Sequence, residues 1–141
     1  MDCRNNVFYS DSAIQGNIYN TMHFFTGGTT PNGGGDAVLG VNWISPGWRK
    51  DAPSHAWSGS LSGTTNLITG DAVGANNPHF VDIAAHDYHL LTPSNILDAG
   101  GPLSALVPAA DAVTMEYLFP QSHQARVQQG TAMDLGALES T

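Results

Sequence analysis

The chain has 141 residues, enough for a single domain with its own core and too few for two independent ones. Only 11% of the residues are charged, against about 25% in an ordinary globular domain, and the net charge is -8, with Arg4, Arg49, Lys50 and Arg126 as the whole basic complement. That balance excludes a phosphate-backbone footprint and so nucleic acid as a partner, and no apolar run approaches the 18 or more residues of a membrane span.

In chain order, "MDCRNNVFYSDS" lacks a basic segment followed by an apolar one, so no signal peptide is read here. If the protein is exported, the signal lies on an upstream part of the parent. Cys3 is the single cysteine, which rules out a disulfide framework. The short apolar runs "NVFY", "AVLGVNWI", "GSLSGTTNLI" and "HFVDI" are each bounded by Gly, Pro, Asn or Asp and predict strands separated by turns, hence an all-β chain. Two insertions interrupt them. Residues 24–37 are too rich in glycine to be other than a loop, and residues 45–60 hold Trp48, Trp57, Arg49, Lys50 and His55. A turn or two of helix near "PLSALVPAADAV" is broken by Pro108. An Asn followed by two apolar residues recurs at Asn17, Asn42, Asn66 and Asn95, at spacings of 25, 24 and 29 residues. A period of 20 to 30 residues suggests a solenoid in which Asn side chains stack at the turns, although "NVF" at Asn6 breaks the spacing.

Residues 77–100, "NPHFVDIAAHDYHLLTPSNILDAG", gather His79, His86, His89, Asp82, Asp87 and Asp98 in a chain otherwise poor in charge. With "ARV" at 125–127 and "DLGALE" at 134–139, this stretch resembles the C-terminal end of bacterial right-handed parallel β-helix proteins, the pectate-lyase-like superfamily. The blocks occur in the family's order; Asn95 and Val127 stand where Pro is usual, and Leu138 where Tyr is usual. The resemblance implies an all-β right-handed parallel β-helix of about four coils over residues 5–100 and a C-terminal cap over residues 101–141, as one domain. It also implies a parent protein that is secreted or on the cell surface. In that setting Asp82, Asp87, Asp98 and Asp134 would accept backbone N–H bonds at tight turns, and Arg126 would pair with one of these carboxylates.

The competing reading of the histidines is a metal site. In a strand Asp87 and His89 share a face while His86 lies at the turn before them, so one strand cannot present the three or four convergent ligands that zinc needs. No metal and no cofactor are therefore expected; calcium at the Asp-rich turns is the one cation that hard oxygen ligands leave open.

For catalysis, Lys50 is the sole lysine, and as a lyase base with Arg49 binding a uronate carboxylate it is chemically admissible. A solvated loop charge is the plainer account, and no nucleophile elbow or triad order is present. Indoles make good platforms for sugar rings. Trp43 alternates within a strand and belongs in the core, whereas Trp48 and Trp57, with His55 and Arg49, form a candidate sugar-binding loop. Two functions follow. One is a non-catalytic C-terminal module of a secreted bacterial protein that contacts polysaccharide; the other is a polysaccharide-active enzyme, lyase or glycoside hydrolase, or a fragment of one. The strand-like "NNVFY" at the start has no helix ahead of it to cover it, which predicts a homo-oligomer formed through Val7, Phe8 and Tyr9.

Overall fold

The computed structural model describes residues 2–9, 36–45, 59–70, 78–118 and 120–140. Ten short strands lie among them: β1 (Asp2–Cys3), β2 (Val7–Phe8), β3 (Ala37–Leu39), β4 (Asn42–Ile44), β5 (Leu61–Ser62), β6 (Leu67–Thr69), β7 (Phe80–Asp82), β8 (Asp87–Leu90), β9 (Met115–Leu118) and β10 (Ser122–Ala125). The helical turn expected around Pro108 is a single 3-10 turn at Ala109–Asp111. Prolines at 102 and 108 deny it room to lengthen.

The strands form four small sheets. Two are parallel and three-stranded, in the orders β1-β3-β5 and β2-β4-β6; two are antiparallel hairpins, β7-β8 and β9-β10. This corrects the expected right-handed parallel β-helix of about four coils: among the described residues there are sheets of three, three, two and two strands and no closed or continuous solenoid sheet. The residues that would have supplied a further parallel coil, β7 and β8, pair with each other instead, Phe80 opposite Leu90 and Asp82 opposite Asp87. The reason is local. The Asp82 carboxylate accepts the N–H groups of Ala84 and Ala85 at 2.9 and 3.1 Å, and His86 takes a positive φ of 60°. The chain therefore reverses within four residues, and the hairpin satisfies its ladder internally.

The β2-β4-β6 sheet separates two cores. Val7 pairs in register with Trp43 and Trp43 with Ile68, and alternation sends these three to one face, where Leu90, Ile96 and Leu135 join them. Phe8 and Ile44, the next pair along, turn to the other face and pack with Ala37, Leu39, Cys3, Leu61 and Leu67. Trp43 and Ile44 are both fully buried although they point in opposite directions. The C-terminal segment thus lies along a face of the β2-β4-β6 sheet.

Asparagine amides tie the strand ends together. Asn42, fully buried, donates to the carbonyls of Cys3 and Gly40, each at 2.9 Å, and its Oδ1 accepts from Asn6 N and Nδ2, each at 3.0 Å. Asn66 donates to Leu39 O, and Asn95 to Gly70 O, both at 2.9 Å. The partner of Asn42 on its N-terminal side is Asn6, the residue that breaks the even spacing; Asn17 lies outside the described residues.

Candidate functional site

Asn5 anchors the site. It holds a positive φ of 60°, and its amide makes a two-way contact with Gly101, donating to the carbonyl and accepting the N–H at 2.8 Å each. Its own carbonyl accepts from Gly136 N at 3.2 Å. The start of β2 is in this way fastened to two C-terminal segments. Gly136 has φ +105°, and a Cβ there would sit 3.3 Å from a methyl of Val7; a side chain would both strain the backbone and crowd the strand.

Between these segments and the β7-β8 hairpin lies a groove of about 510 Å³ lined by Asn5, Asn6, Val7, Phe8, Tyr9, Phe80, Tyr88, Leu135, Gly136 and Ala137. Its aromatic side chains form a continuous row. Tyr9 is 6.5 Å from the buried ring of Trp43, Phe80 stands edge-on to Tyr9 at 6.0 Å, and Tyr88 stands edge-on to Phe80 at 5.4 Å. Each contact fixes the next ring, so the exposed Tyr88 is oriented from the core outward. None of the described lining residues is Asp, Glu, His, Lys or Arg.

The polar residues singled out in residues 79–89 lie on or beside the β7-β8 hairpin. His86 contacts the Tyr88 hydroxyl through Nδ1 at 3.2 Å. Asp87 and His89 share one face of β8 and meet, Oδ1 to Nδ1, at 2.6 Å. The hydrogen bond from the His89 side chain holds the Asp87 carboxyl below its ordinary value, with the His89 backbone N–H second. Asp82 shapes the hairpin turn, as described above. His79, at φ 64°, lies just before β7. Among the described residues no group of three or more His, Cys, Asp or Glu is placed to hold a metal ion.

Asp98, Arg126 and Asp134 build a separate network in which Asp134 is buried, Arg126 half-buried and Asp98 exposed. Asp134 Oδ1 accepts from Asp98 N and Oδ2 from Ser140 N, both at 2.8 Å. The Asp98 carboxylate accepts from Thr131 N and Ala132 N at 2.8 and 3.0 Å. The neighbouring Gly130 has φ +82°, and a Cβ there would collide with that carboxylate. Arg126 does not pair with Asp82, Asp87, Asp98 or Asp134; its ion pair is with Glu139 at 2.6 Å, both side chains being nearly inaccessible. It donates also to the backbone carbonyls of Asp134 and Gly136. Glu116, buried within β9, accepts from Glu139 N at 3.1 Å. Glu116 and Glu139 were missed in the sequence. Glu139 stands in the "DLGALE" block, but its role depends on a partner 13 residues back.

Trp48, Trp57, His55, Arg49 and Lys50 lie outside the described residues. Val7, Phe8 and Tyr9, the expected self-association patch, are half-buried and pack against the two cores, so a charge at Phe8 would disturb the fold as well as any interface. Sequence reasoning did not find Phe80 and Tyr88 as groove residues. The "FVD" and "DYH" alternation was a usable signal, because it places an aromatic on each strand of one hairpin. No family model, curated protein or solved structure matches the chain.

Proposed function

We propose that this chain is a non-catalytic module that contacts polysaccharide, carried by a secreted bacterial protein. The observation that carries this reading is the groove lined by Phe8, Tyr9, Phe80 and Tyr88 together with asparagine and small residues, with no Asp, Glu, His, Lys or Arg among the described residues of its walls. A ring platform needs oriented apolar area and neutral polar groups, and this wall supplies both. The sparse charge and the net charge of -8 agree with a surface that meets uncharged, hydroxyl-rich partners.

Affinity electrophoresis in gels cast with soluble glycans, run beside an assay for glycan cleavage products, tests the reading. Retardation that Tyr88→Ala abolishes, without product formation, is expected. Turnover that disappears in Lys50→Ala would replace this reading with a lyase.

A further inference from the structure

We propose that the aromatic groove continues into a second cavity, and that the two form one cleft for the interior of a neutral glycan chain; this rests on the polysaccharide reading above. The second cavity, of about 480 Å³, shares Asn5, Asn6, Gly136 and Ala137 with the first. Each volume falls in the range of about 300–1,000 Å³ that encloses most of a small organic ligand, so the pair joined end to end suits a polymer of several units.

The far wall of this cleft has an inverted pattern. In β9 the charged Glu116 is buried while Met115 and Tyr117 remain 45% and 51% exposed, and both line the second cavity. A hairpin that places its apolar side chains outward leaves a surface without a partner among the described residues. Tyr117 accepts the Gln121 N–H at 3.0 Å, which orients its hydroxyl while leaving the O–H proton to donate. At the saddle, Asn6 Nδ2 is engaged by Arg4 O and Asn42 Oδ1, while its own Oδ1 takes no partner from the described residues. The cleft therefore offers an exposed tyrosine in each half, Tyr88 and Tyr117, and a neutral acceptor between them.

Charge selects the class of glycan. Four charged residues touch the second cavity, Arg4, Arg126, Glu116 and Asp134, and both cations are already held by a carboxylate of this chain: Arg4 by Asp2 at 2.7 Å and Arg126 by Glu139 at 2.6 Å. A uronate carboxylate entering here would lose water without gaining a counter-charge. An uncharged chain meets no such penalty.

Isothermal titration of the full chain with glucose, cellotriose, cellohexaose, xylotriose, xylohexaose and hexagalacturonate tests the proposal. At least one neutral hexasaccharide should bind about tenfold tighter than its trisaccharide, and hexagalacturonate at least about tenfold weaker than that hexasaccharide. Tyr117→Ala should weaken the hexasaccharide about tenfold and leave the trisaccharide within about twofold, whereas Tyr88→Ala should weaken both. Both tyrosines are about half exposed, and an unchanged melting curve establishes the fold of each variant. Equal affinity for trisaccharide and hexasaccharide, or equal loss of both in Tyr117→Ala, overturns the single cleft. Hexagalacturonate binding as tightly as the neutral chains overturns the charge selection. Binding of none of the sugars overturns the proposed function itself.

Discussion

The parallel strands up to residue 70 and the segments from residue 78 onward are held together by different forces. In the former, adjacent strands far apart in sequence pair in register and turn apolar side chains to two faces; the buried residues include Ala37, Leu39, Trp43 and Ile44, with Asn42 and Ser45. In the latter, the buried Leu90, Ile96, Leu135 and Leu138 are joined by carboxylates and a hydroxyl that accept backbone N–H groups: Asp82, Asp98, Asp134, Glu116, Glu139 and Ser140. Apolar burial is proportional to area and tolerant of direction. A buried N–H has a particular partner, and losing it costs the full desolvation of the group. The first region should therefore fail by losing volume, the second by losing single oxygen atoms.

The largest effect is expected from Trp43→Ala. The ring fills the core between the β2-β4-β6 sheet and the C-terminal segment, and its indole N–H donates to Gly70 O at 2.9 Å. A cavity of this kind costs about 3–5 kcal/mol, read from the urea midpoint. An equal loss from Trp48→Ala would contradict the special place of Trp43.

Next, Asp134→Ala should cost about 2–4 kcal/mol, because it leaves the N–H groups of Asp98 and Ser140 without acceptors. Asp134→Asn should recover part of this, since one oxygen remains. If alanine and asparagine were equally destabilising, charge rather than hydrogen bonding would hold the C-terminal segment. Replacing Asp82 acts on an exposed turn, and Asp82→Ala should cost about 0.5–1.5 kcal/mol while leaving the buried network intact, checked by amide exchange at Ser140.

The smallest effect concerns Asp87 and His89. The folded state lowers the Asp87 carboxyl below its ordinary 3.8, so the stabilisation is present above that value and is lost as pH falls through the lowered folded value. Both side chains are more than a third exposed, so the change is small and screened by salt. Asp87→Asn should flatten the acid limb of the stability curve slightly; a large shift near neutral pH would point to another titrating group.

Parts of this fold were legible because they are local. Strand existence follows from short apolar runs between turn residues, and the use of Asp82 follows from the chemistry of carboxylates at turns. Alternation assigns Trp43 its face of the strand, but Asn42, Trp43 and Ile44 are all buried because both faces of the sheet are covered. The spacing from Asn42 to Asn66 matches adjacent parallel strands, Asn42 lying opposite Leu67, whereas on the N-terminal side the described neighbour of Asn42 is Asn6, 36 residues earlier, a pairing that the glycine-rich stretch between them hides in the sequence. The resemblance led to a parallel coil where Phe80–Leu90 forms a hairpin, because pairing partners are chosen by competition and a tight turn brings β8 to β7 before any distant strand arrives.

By itself the sequence determined the class of elements, the scarcity of charge and the residues able to accept backbone bonds at turns, since these depend on side chains and their near neighbours. Only the tertiary structure decided that Arg126 pairs with Glu139 rather than an aspartate, that Glu116 points inward while Tyr117 faces out, and that Tyr9, Phe80 and Tyr88 share one groove. Those outcomes depend on distances across the chain, where one residue of register reverses every side chain of a strand.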